Sequence, residues 1–213
     1  MNELADADKA TVDAGADQVV QVATTSTPAA PRPLRWSVSA YEAAIAKGVF
    51  APTLRAELIA GEIVEQMPVG APHAYTTRQL RVALAAATGN QGVLGVQDPI
   101  QLGEYTRPEP DVWIAAPPPE RYATRVPRAD EVLLVCEVAD TSLEFDRSRK
   151  LVAYAQAGIP EYWILNLRAC ELERHTGPRE DGSYAEKRAY AVGEVVDHGT
   201  LSGIEVAGLF AAV

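Results

Sequence analysis

Two acidic residues in the middle of the chain lie at the ends of strand-like runs, and a lysine follows them within a helical pattern. Asp111 precedes the short apolar run 112–115, and Glu137 lies near the end of the longer run 131–138. Lys150 comes next. Two carboxylates that share a site can hold a divalent cation, and such a cation can activate water for phosphodiester hydrolysis. The pattern therefore predicts a metal site for cutting phosphodiester bonds.

The surroundings of Glu137 support this prediction. The run between Glu131 and Glu137 is continuously apolar, which is typical of a central strand covered on both faces. An isolated carboxylate inside such a strand becomes neutral through a raised pKa unless a cation or hydrogen bonds hold it. Either Glu137 has a partner or the strand ends there, and a metal ion is the natural partner.

The lysine belongs to a helix predicted from about Asp146 to Ala157, where Gly158 ends it. Asp146, Lys150 and Tyr154 are spaced i, i+4 and i+8, which places them on one helical face. Lys150 could therefore converge with the acids. It could instead extend into solvent and pair with Asp146, and the pattern leaves both alternatives open.

Other elements must position these residues, and the chain supplies signals for them on both sides. They are a helix from about Trp36 to Gly48, a hairpin over 55–65 that carries Glu57, a helix from His73 to Gly89, strands over 93–96, 100–102 and 161–167, and an antiparallel meander over 171–190. His73 is predicted to be a cap or surface residue rather than a ligand. No GxGxxG, P-loop, GxSxG or helical histidine pair suggests a different chemistry.

Composition bounds the size of the fold and argues against strong nucleic-acid binding. The 213 residues are 47% hydrophobic, enough to bury one substantial core. The net charge is −10, whereas nucleic-acid binders usually present a basic surface that displaces counterions from phosphates. Residues 1–30 hold five acids and one lysine, hence −4 of this total. The remaining −6 still disfavours tight non-specific DNA binding.

Basic residues around the predicted site could form a local basic rim within this acidic chain. They are Arg121, Arg125, Arg128, Arg147, Arg149 and Lys150. Each arginine could equally be an ordinary solvated side chain. The predicted partners are DNA, bound weakly through this rim, and a divalent metal ion. The sequence does not determine the oligomeric state, and a homodimer is left open.

Domain organisation and location follow from the ends of the chain and from its cysteines. Residues 1–33 are predicted to be a disordered acidic and proline-rich tail, and residues 34–213 a single domain. Cys136 and Cys170 lack metal-binding spacing, which is typical of reduced thiols in a cytosolic protein. No apolar run approaches the roughly 20 residues of a membrane span, and no secretory signal is evident. We therefore expect a cytoplasmic protein without membrane association.

Several motifs together resemble the Uma-two family of restriction-endonuclease-like proteins, within the PD-(D/E)xK nuclease superfamily. They are Glu109-Pro110-Asp111, the run from Glu137 to Leu143, Asp146-Arg147 with Lys150, the run from Gly158 to Trp163, the run from Glu57 to Val64, and Pro72-His73. Each motif is short, but their order and spacing are fairly specific. The resemblance covers roughly residues 36–167.

This resemblance implies an α/β fold of the mixed α+β kind: a restriction-endonuclease-like mixed β-sheet flanked by helices, with an N-terminal hairpin and a C-terminal antiparallel meander. It implies that Asp111, Glu137 and a main-chain carbonyl near Val138 bind Mg²⁺ or Mn²⁺, which prefer oxygen ligands. In the superfamily pattern the lysine stands two residues after the glutamate, where this chain has Ala139. Lys150 is the replacement that the resemblance suggests, and Glu57 would be an outer acid that orients water or a second metal.

Two functions follow from these expectations. The first is a metal-dependent endonuclease that acts on DNA. The second is a binding or assembly module that keeps the nuclease fold without cutting. The acidic charge and the absence of a lysine within the strand both favour the second, whereas the paired acids favour the first.

Overall fold

A six-stranded mixed β-sheet is the centre of the fold. The computed structural model describes residues 33–51, 53–198 and 201–210, without the side chains of residues 198, 201 and 202. The strands lie across the sheet in chain order: β3 (Val93–Val96), β4 (Val112–Ala115), β5 (Val132–Ala139), β6 (Glu161–Asn166), β7 (Glu171–Pro178) and β8 (Tyr184–Ala191). Strands β5 and β6 are parallel, and the other neighbouring pairs are antiparallel. The predicted mixed sheet is thus confirmed, and the tail expected over 1–33 lies outside the described residues apart from Pro33.

The remaining elements precede the sheet, connect its strands or follow it. They are α1 (Val38–Ala46), the hairpin strands β1 (Ala56–Ile59) and β2 (Glu62–Glu65), α2 (Ala71–Thr88), α3 (Leu143–Phe145), a π-helical turn (Asp146–Lys150), α4 (Leu151–Gln156), and the antiparallel pair β9 (Val195–His198) and β10 (Leu201–Glu205). Short 3₁₀ turns cover Pro119–Tyr122, Ala129–Glu131 and Val206–Gly208. Parallel strands need a long crossover connection, and the helical segment from α3 to α4 supplies it between β5 and β6.

Strand β5 is buried on both faces, as its apolar sequence predicts. Leu134 and Cys136 belong to the core that packs against α2. Val135 and Ala139 belong to the core on the opposite face, which contains Tyr154 of α4. Because side chains alternate along a strand, Glu137 lies on the α4 face of the sheet.

The first helices and the hairpin form where their local signals predict them. Ser37 caps α1 by accepting a hydrogen bond from the Ala40 N–H at 3.2 Å. Ala60 and Gly61 have φ of 51° and 82°, the positive values that a two-residue hairpin turn of this kind requires. The sheet-facing side of α2 is apolar, with Leu80 fully buried.

The strand expected over 100–102 is not present. The side chain of Ile100 is fully buried, which accounts for an apolar residue at this position. However, its N–H bonds to the carbonyl of Pro108, and the Leu102 N–H bonds to that of Thr106, so this backbone folds on the loop that follows it. Gln101 makes only an isolated bridge with Arg128. Residues 100–102 therefore form a loop that buries Ile100, and they are not a strand of the sheet.

The helix expected over 146–157 begins earlier and contains a change of helix type. It starts with α3 at Leu143, passes through the π-helical turn and ends with α4 at Gln156. In the described residues, no helix combines the length and the hydropathy that a membrane span requires.

Candidate active site

The two acids at the centre of the sequence lie side by side at the sheet, with Asp111 immediately before β4 and Glu137 within β5. Val112 of β4 pairs with Cys136 of β5, so the next register position places Asp111 opposite Glu137. Opposite residues of an antiparallel pair point to the same face, with Cβ atoms about 5 Å apart. The N–H of Val138 donates to Asp111 Oδ2 at 2.9 Å, which ties the Asp111 carboxylate to β5. The sheet register therefore brings together Asp111, Glu137 and Val138.

Lys150 reaches this pair from the π-helical turn. Its Nζ lies 2.9 Å from Glu137 Oε1 and 3.1 Å from Glu57 Oε1. Tyr154 adds a second donor, because its hydroxyl bonds to the same Glu137 Oε1 at 2.7 Å. The Lys150 side chain is only 7% exposed, so the alternative that it extends into solvent is wrong.

Glu57 enters the site from the N-terminal hairpin. It is buried in β1, and its Oε2 accepts a hydrogen bond from the Glu109 N–H at 3.2 Å. Its other oxygen faces Lys150. Hairpin, sheet and helix thus all contribute charged groups to a single cluster, although these elements are far apart in sequence.

The cluster has a surplus of buried negative charge. Its carboxylates are those of Glu57, Asp111, Glu137 and Asp146, each at most 8% exposed. Within the described residues, the basic groups in contact with them are the Lys150 ammonium and the His73 imidazole. Burial raises the pKa of Glu137, and the neighbouring acids add to this, while Lys150 opposes it. Burial also disfavours the Lys150 ammonium, but Glu137, Glu57 and Asp146 outweigh it and raise the lysine pKa.

This surplus fits a divalent cation, but the site is not a preassembled cage. The described residues contain no group of three or more His, Cys, Asp or Glu side chains arranged to hold a metal ion. Mg²⁺ usually keeps several water ligands and takes only one or two carboxylates from the protein. Asp111 and Glu137 supply that donor chemistry.

Comparison with known proteins identifies the family. A family model described as "Uma2: Putative restriction endonuclease" matches residues 39–209. The chain belongs to the Uma2 family. One solved structure with the same fold is described as a putative nuclease belonging to DUF820 from Anabaena variabilis ATCC 29413, with a TM-score of 0.58 and 12% sequence identity. The match covers 73% of this chain and 89% of that one. Among the curated proteins, none matches.

The Uma2 family is one of restriction-endonuclease-like nucleases, which agrees with the family predicted from the motifs. The match also extends beyond those motifs into the C-terminal strands, since it ends at residue 209. At 12% identity, the solved structure supports the fold alone.

The contact of His73 with Asp111 is a feature of this Uma2 chain that the sequence did not predict. Its Nε2 lies 3.1 Å from Asp111 Oδ2, and its side chain is 17% exposed. The helix cap is Gly70, so the expectation of a cap or surface role for His73 is wrong. Burial disfavours a charged imidazole, but the hydrogen bond and charge of Asp111 outweigh this and raise the pKa of His73.

Asp111 is held by three donors in total. Besides His73 and Val138, Gln97 donates from Nε2 to Asp111 Oδ1 at 3.2 Å. Burial alone would raise the pKa of Asp111, but these contacts reverse the effect and lower it. Gln97 has a φ of 53°, and its N–H bonds to the Asp111 carbonyl at 3.1 Å, so its backbone is folded around the start of β4. No motif in the sequence marks this loop contact.

Asp146 is the fourth carboxylate and was predicted only as a neighbour of the lysine. It is 2% exposed, and the hydroxyl of Ser142 donates to its Oδ2 at 2.6 Å. The helical spacing correctly placed it on one face with Lys150 and Tyr154, which are also buried.

The arginines of the expected basic rim are largely paired with acids. Arg121 and Arg125 contact Glu131, at 3.8 Å and 2.7 Å. The other two pairs are Arg147 with Glu173 and Arg149 with Glu62. The Arg125 hydrogen bonds lower the pKa of Glu131 to about 2. The positive charge available for phosphates near the site is therefore smaller than the sequence suggests.

Proposed function

We propose that this protein is a metal-dependent endonuclease that hydrolyses DNA phosphodiester bonds. The observation that supports it is the convergence of Asp111, Glu137 and Lys150 at the end of β5, where buried carboxylates outnumber the lysine that neutralises them. A nuclease family provides the reaction class. The choice of DNA and the metal requirement belong to the proposal.

In this proposal Asp111 and Glu137 would hold Mg²⁺ or Mn²⁺ together with the main-chain carbonyl of Val138. Such an ion would polarise the scissile phosphate and lower the pKa of a bound water. The three donors on Asp111 keep its carboxylate ionised, because they lower its pKa. An ionised carboxylate is the form that binds a metal.

Lys150 and Glu57 act on the substrate side of the same site. Lys150 remains an ammonium because its acidic neighbours raise its pKa. It can therefore donate hydrogen bonds to phosphate oxygens or to the attacking water, and stabilise negative charge that develops on the phosphate. Glu57 restricts where Lys150 can point, since the ammonium lies between Glu57 and Glu137.

A non-cleaving binding module is the second candidate, and one observation favours it. Glu137 Oε1 already accepts from both Lys150 and Tyr154, so the cluster has internal hydrogen bonds in the absence of an ion. A fold of this kind could persist without a metal ion and serve only to bind.

Cleavage assays distinguish the two candidates. We expect the purified protein to nick or cut plasmid or single-stranded DNA with Mg²⁺ or Mn²⁺ and to be inactive in EDTA. Asp111→Asn and Glu137→Gln should each lower the rate on the order of 100-fold or more, because each removes a charge at the reacting centre.

The matched control is Asp140→Asn, which removes an exposed carboxylate from the same region; Asp140 pairs with Arg168 and not with the cluster. This variant should cut at the parent's rate. Absence of cleavage with either ion on every nucleic acid tested would favour the binding module instead.

A further inference from the structure

The contact between His73 and Asp111 carries an inference about metal selectivity. The His73 ring projects from the first turn of α2 and places Nε2 3.1 Å from Asp111 Oδ2. Both side chains are mostly buried, at 17% and 12% exposed. The two atoms therefore face one another away from bulk water.

Thr77 offers an acceptor to the other ring nitrogen of His73. The Thr77 hydroxyl donates its single hydrogen to the His73 carbonyl at 2.9 Å. Its oxygen is then able to accept a hydrogen from His73 Nδ1, which lies 3.4 Å away. In a neutral imidazole, a hydrogen on Nδ1 leaves a lone pair on Nε2. That lone pair points at Asp111 Oδ2, which already accepts from the Val138 N–H.

Two lone pairs at this distance repel each other unless a positive species lies between them. A proton on Nε2, which gives the hydrogen bond from His73 to Asp111 described above, is one such species, and a metal ion that takes the place of this proton is the other. Ligands in neighbouring positions on a six-coordinate ion with bonds of about 2.1 Å are roughly 3.0 Å apart. The observed 3.1 Å therefore suits two adjacent ligands of one ion as they stand. A metal-binding histidine also typically has its other N–H held by an acceptor, which is the arrangement at Thr77.

We propose that His73 Nε2 is a ligand of the divalent ion held by Asp111, and that this nitrogen makes the site select Mn²⁺ over Mg²⁺. Imidazole suits later transition metals, whereas Mg²⁺ prefers sites composed only of oxygen ligands. The inference rests on the proposed function only in requiring that Asp111 binds a metal ion; it does not require DNA cleavage.

Metal titration of the full chain tests this selectivity. Isothermal titration calorimetry at constant pH should show that the parent binds Mn²⁺ on the order of 10-fold or more tightly than Mg²⁺. His73→Gln offers an amide oxygen in place of the nitrogen. It should lose most of the Mn²⁺ preference while its Mg²⁺ affinity changes little.

His175→Gln is the matched control, because His175 is also a buried histidine beside a carboxylate, with Nε2 3.5 Å from Glu173 Oε2. It should keep the parent's Mn²⁺ to Mg²⁺ ratio. An unchanged ratio in His73→Gln, or absence of metal binding by the parent, would overturn the proposal.

A spectroscopic experiment on the parent avoids dependence on how a variant folds. Electron spin echo modulation of bound Mn²⁺ should show coupling to a directly bonded nitrogen, and the coupling should change when histidine is labelled with ¹⁵N. Lack of nitrogen coupling in Mn²⁺-loaded parent would also overturn the proposal. Nitrogen coupling without DNA cleavage would support His73 as a metal ligand and contradict the nuclease proposal. DNA cleavage without nitrogen coupling would support the nuclease proposal and contradict His73 as a ligand.

Discussion

At the scale of single residues, Asp146 is a buried acid whose burial is only partly compensated. It is 2% exposed, and the Lys150 charge and the hydrogen bond from Ser142 stabilise its carboxylate. Burial is the largest cause of its raised pKa, which moves from an ordinary 3.8 to about 6, although Lys150 and Ser142 oppose the rise. A carboxyl with a raised pKa destabilises the folded protein wherever it must ionise.

This acid predicts a specific pH dependence of stability in EDTA. Between about pH 4 and pH 6 the folded protein retains a proton on Asp146 that the unfolded chain has released, so the stability falls as the pH rises. Above pH 6 the full cost is roughly 3 kcal/mol. Asp146→Asn removes this cost. Urea unfolding should show the variant more stable than the parent at pH 8, with the difference narrowing by pH 5.

Asp140→Asn is the control for a generic effect of removing one negative charge. Asp140 is about half exposed and pairs with Arg168 outside the buried cluster, so an effect shared by the two variants is a generic charge effect. An Asp146→Asn variant that is less stable than the parent at pH 8 would mean that Lys150 holds Asp146 ionised in the folded state.

The need of Glu137 for a partner and the approach of Lys150 to the acids were predictable from sequence, but the hydrogen bond from Tyr154 was not. A carboxylate in an apolar strand requires compensation, and the structure provides it from Lys150 and Tyr154. His73 was missed for a different reason. Its partner, Asp111, is brought close by the packing of α2 on the sheet, and no local spacing records that contact.

At the scale of elements, the π-helical turn determines where Lys150 points. The turn spans Asp146–Lys150, and the Leu151 N–H bonds back to the Asp146 carbonyl, five residues earlier. The hydroxyl of Tyr162, from the neighbouring strand β6, donates to the same carbonyl at 3.1 Å. Single π-helical turns within helices occur frequently at functional sites. Tyr162 thus fastens the turn to the sheet.

Tyr162→Phe tests whether this hydroxyl positions Lys150. Loss of one buried hydrogen bond should cost about 1 kcal/mol of stability. If the turn relaxes, Lys150 shifts from Glu137, and kcat for DNA cleavage should fall roughly 10-fold while metal affinity is unchanged. Denaturant unfolding, calorimetry and cleavage rates measure the three effects.

Tyr184→Phe is matched to this variant, since the Tyr184 hydroxyl donates to another main-chain carbonyl, that of Ile159, at 3.0 Å. It should lose similar stability and keep the parent's kcat. Equal kcat in the two variants would show that the turn holds its conformation without Tyr162.

Sequence patterns predicted the helices and strands correctly where the spacing of apolar residues was regular. They were less accurate where tertiary contacts determine the backbone conformation. The i, i+4, i+8 spacing correctly predicted one buried face for Asp146, Lys150 and Tyr154. It did not predict the π-helical turn, where the Asp146 carbonyl accepts a hydrogen bond from Tyr162 of β6, because no local spacing records that contact. The prediction of a strand over 100–102 was wrong for a similar reason. A buried apolar side chain in a loop gives the same sequence pattern as a short strand.

At the scale of the whole molecule, the order of elements followed from the sequence while the sheet register did not. The family resemblance implied a mixed sheet flanked by helices, and the six-stranded sheet confirms it. The register that places Asp111 opposite Glu137 depends on long-range pairing of β4 with β5. A shift of one residue would move one of the carboxylates to the other face of the sheet.

The charge distribution limits how the molecule could bind DNA. The chain carries a net charge of −10, and four rim arginines are paired with acids. Arg55 differs, since it is exposed and close enough to affect the pKa of His73 and Glu109. Few cations near the site are thus available for phosphates, and specificity for a substrate cannot come from a broad basic surface.

A shallow salt dependence of DNA binding is therefore expected. If two or three phosphates are neutralised, affinity should fall roughly 10- to 40-fold between 50 and 200 mM salt, since the slope is about −0.9 per phosphate. The measurement is fluorescence anisotropy of labelled DNA. All variants are made in a Glu137→Gln background, so that the DNA is not cut during the titration. Arg55→Ser should reduce the slope by about one, because its exposed charge is close enough to the site to act on His73 and Glu109. Arg121→Ser, which removes an arginine already beside Glu131, should leave the slope unchanged. A slope steeper than about −6 would require more cations than the described residues offer near the site, and would assign DNA binding to another surface or to an assembly of several chains.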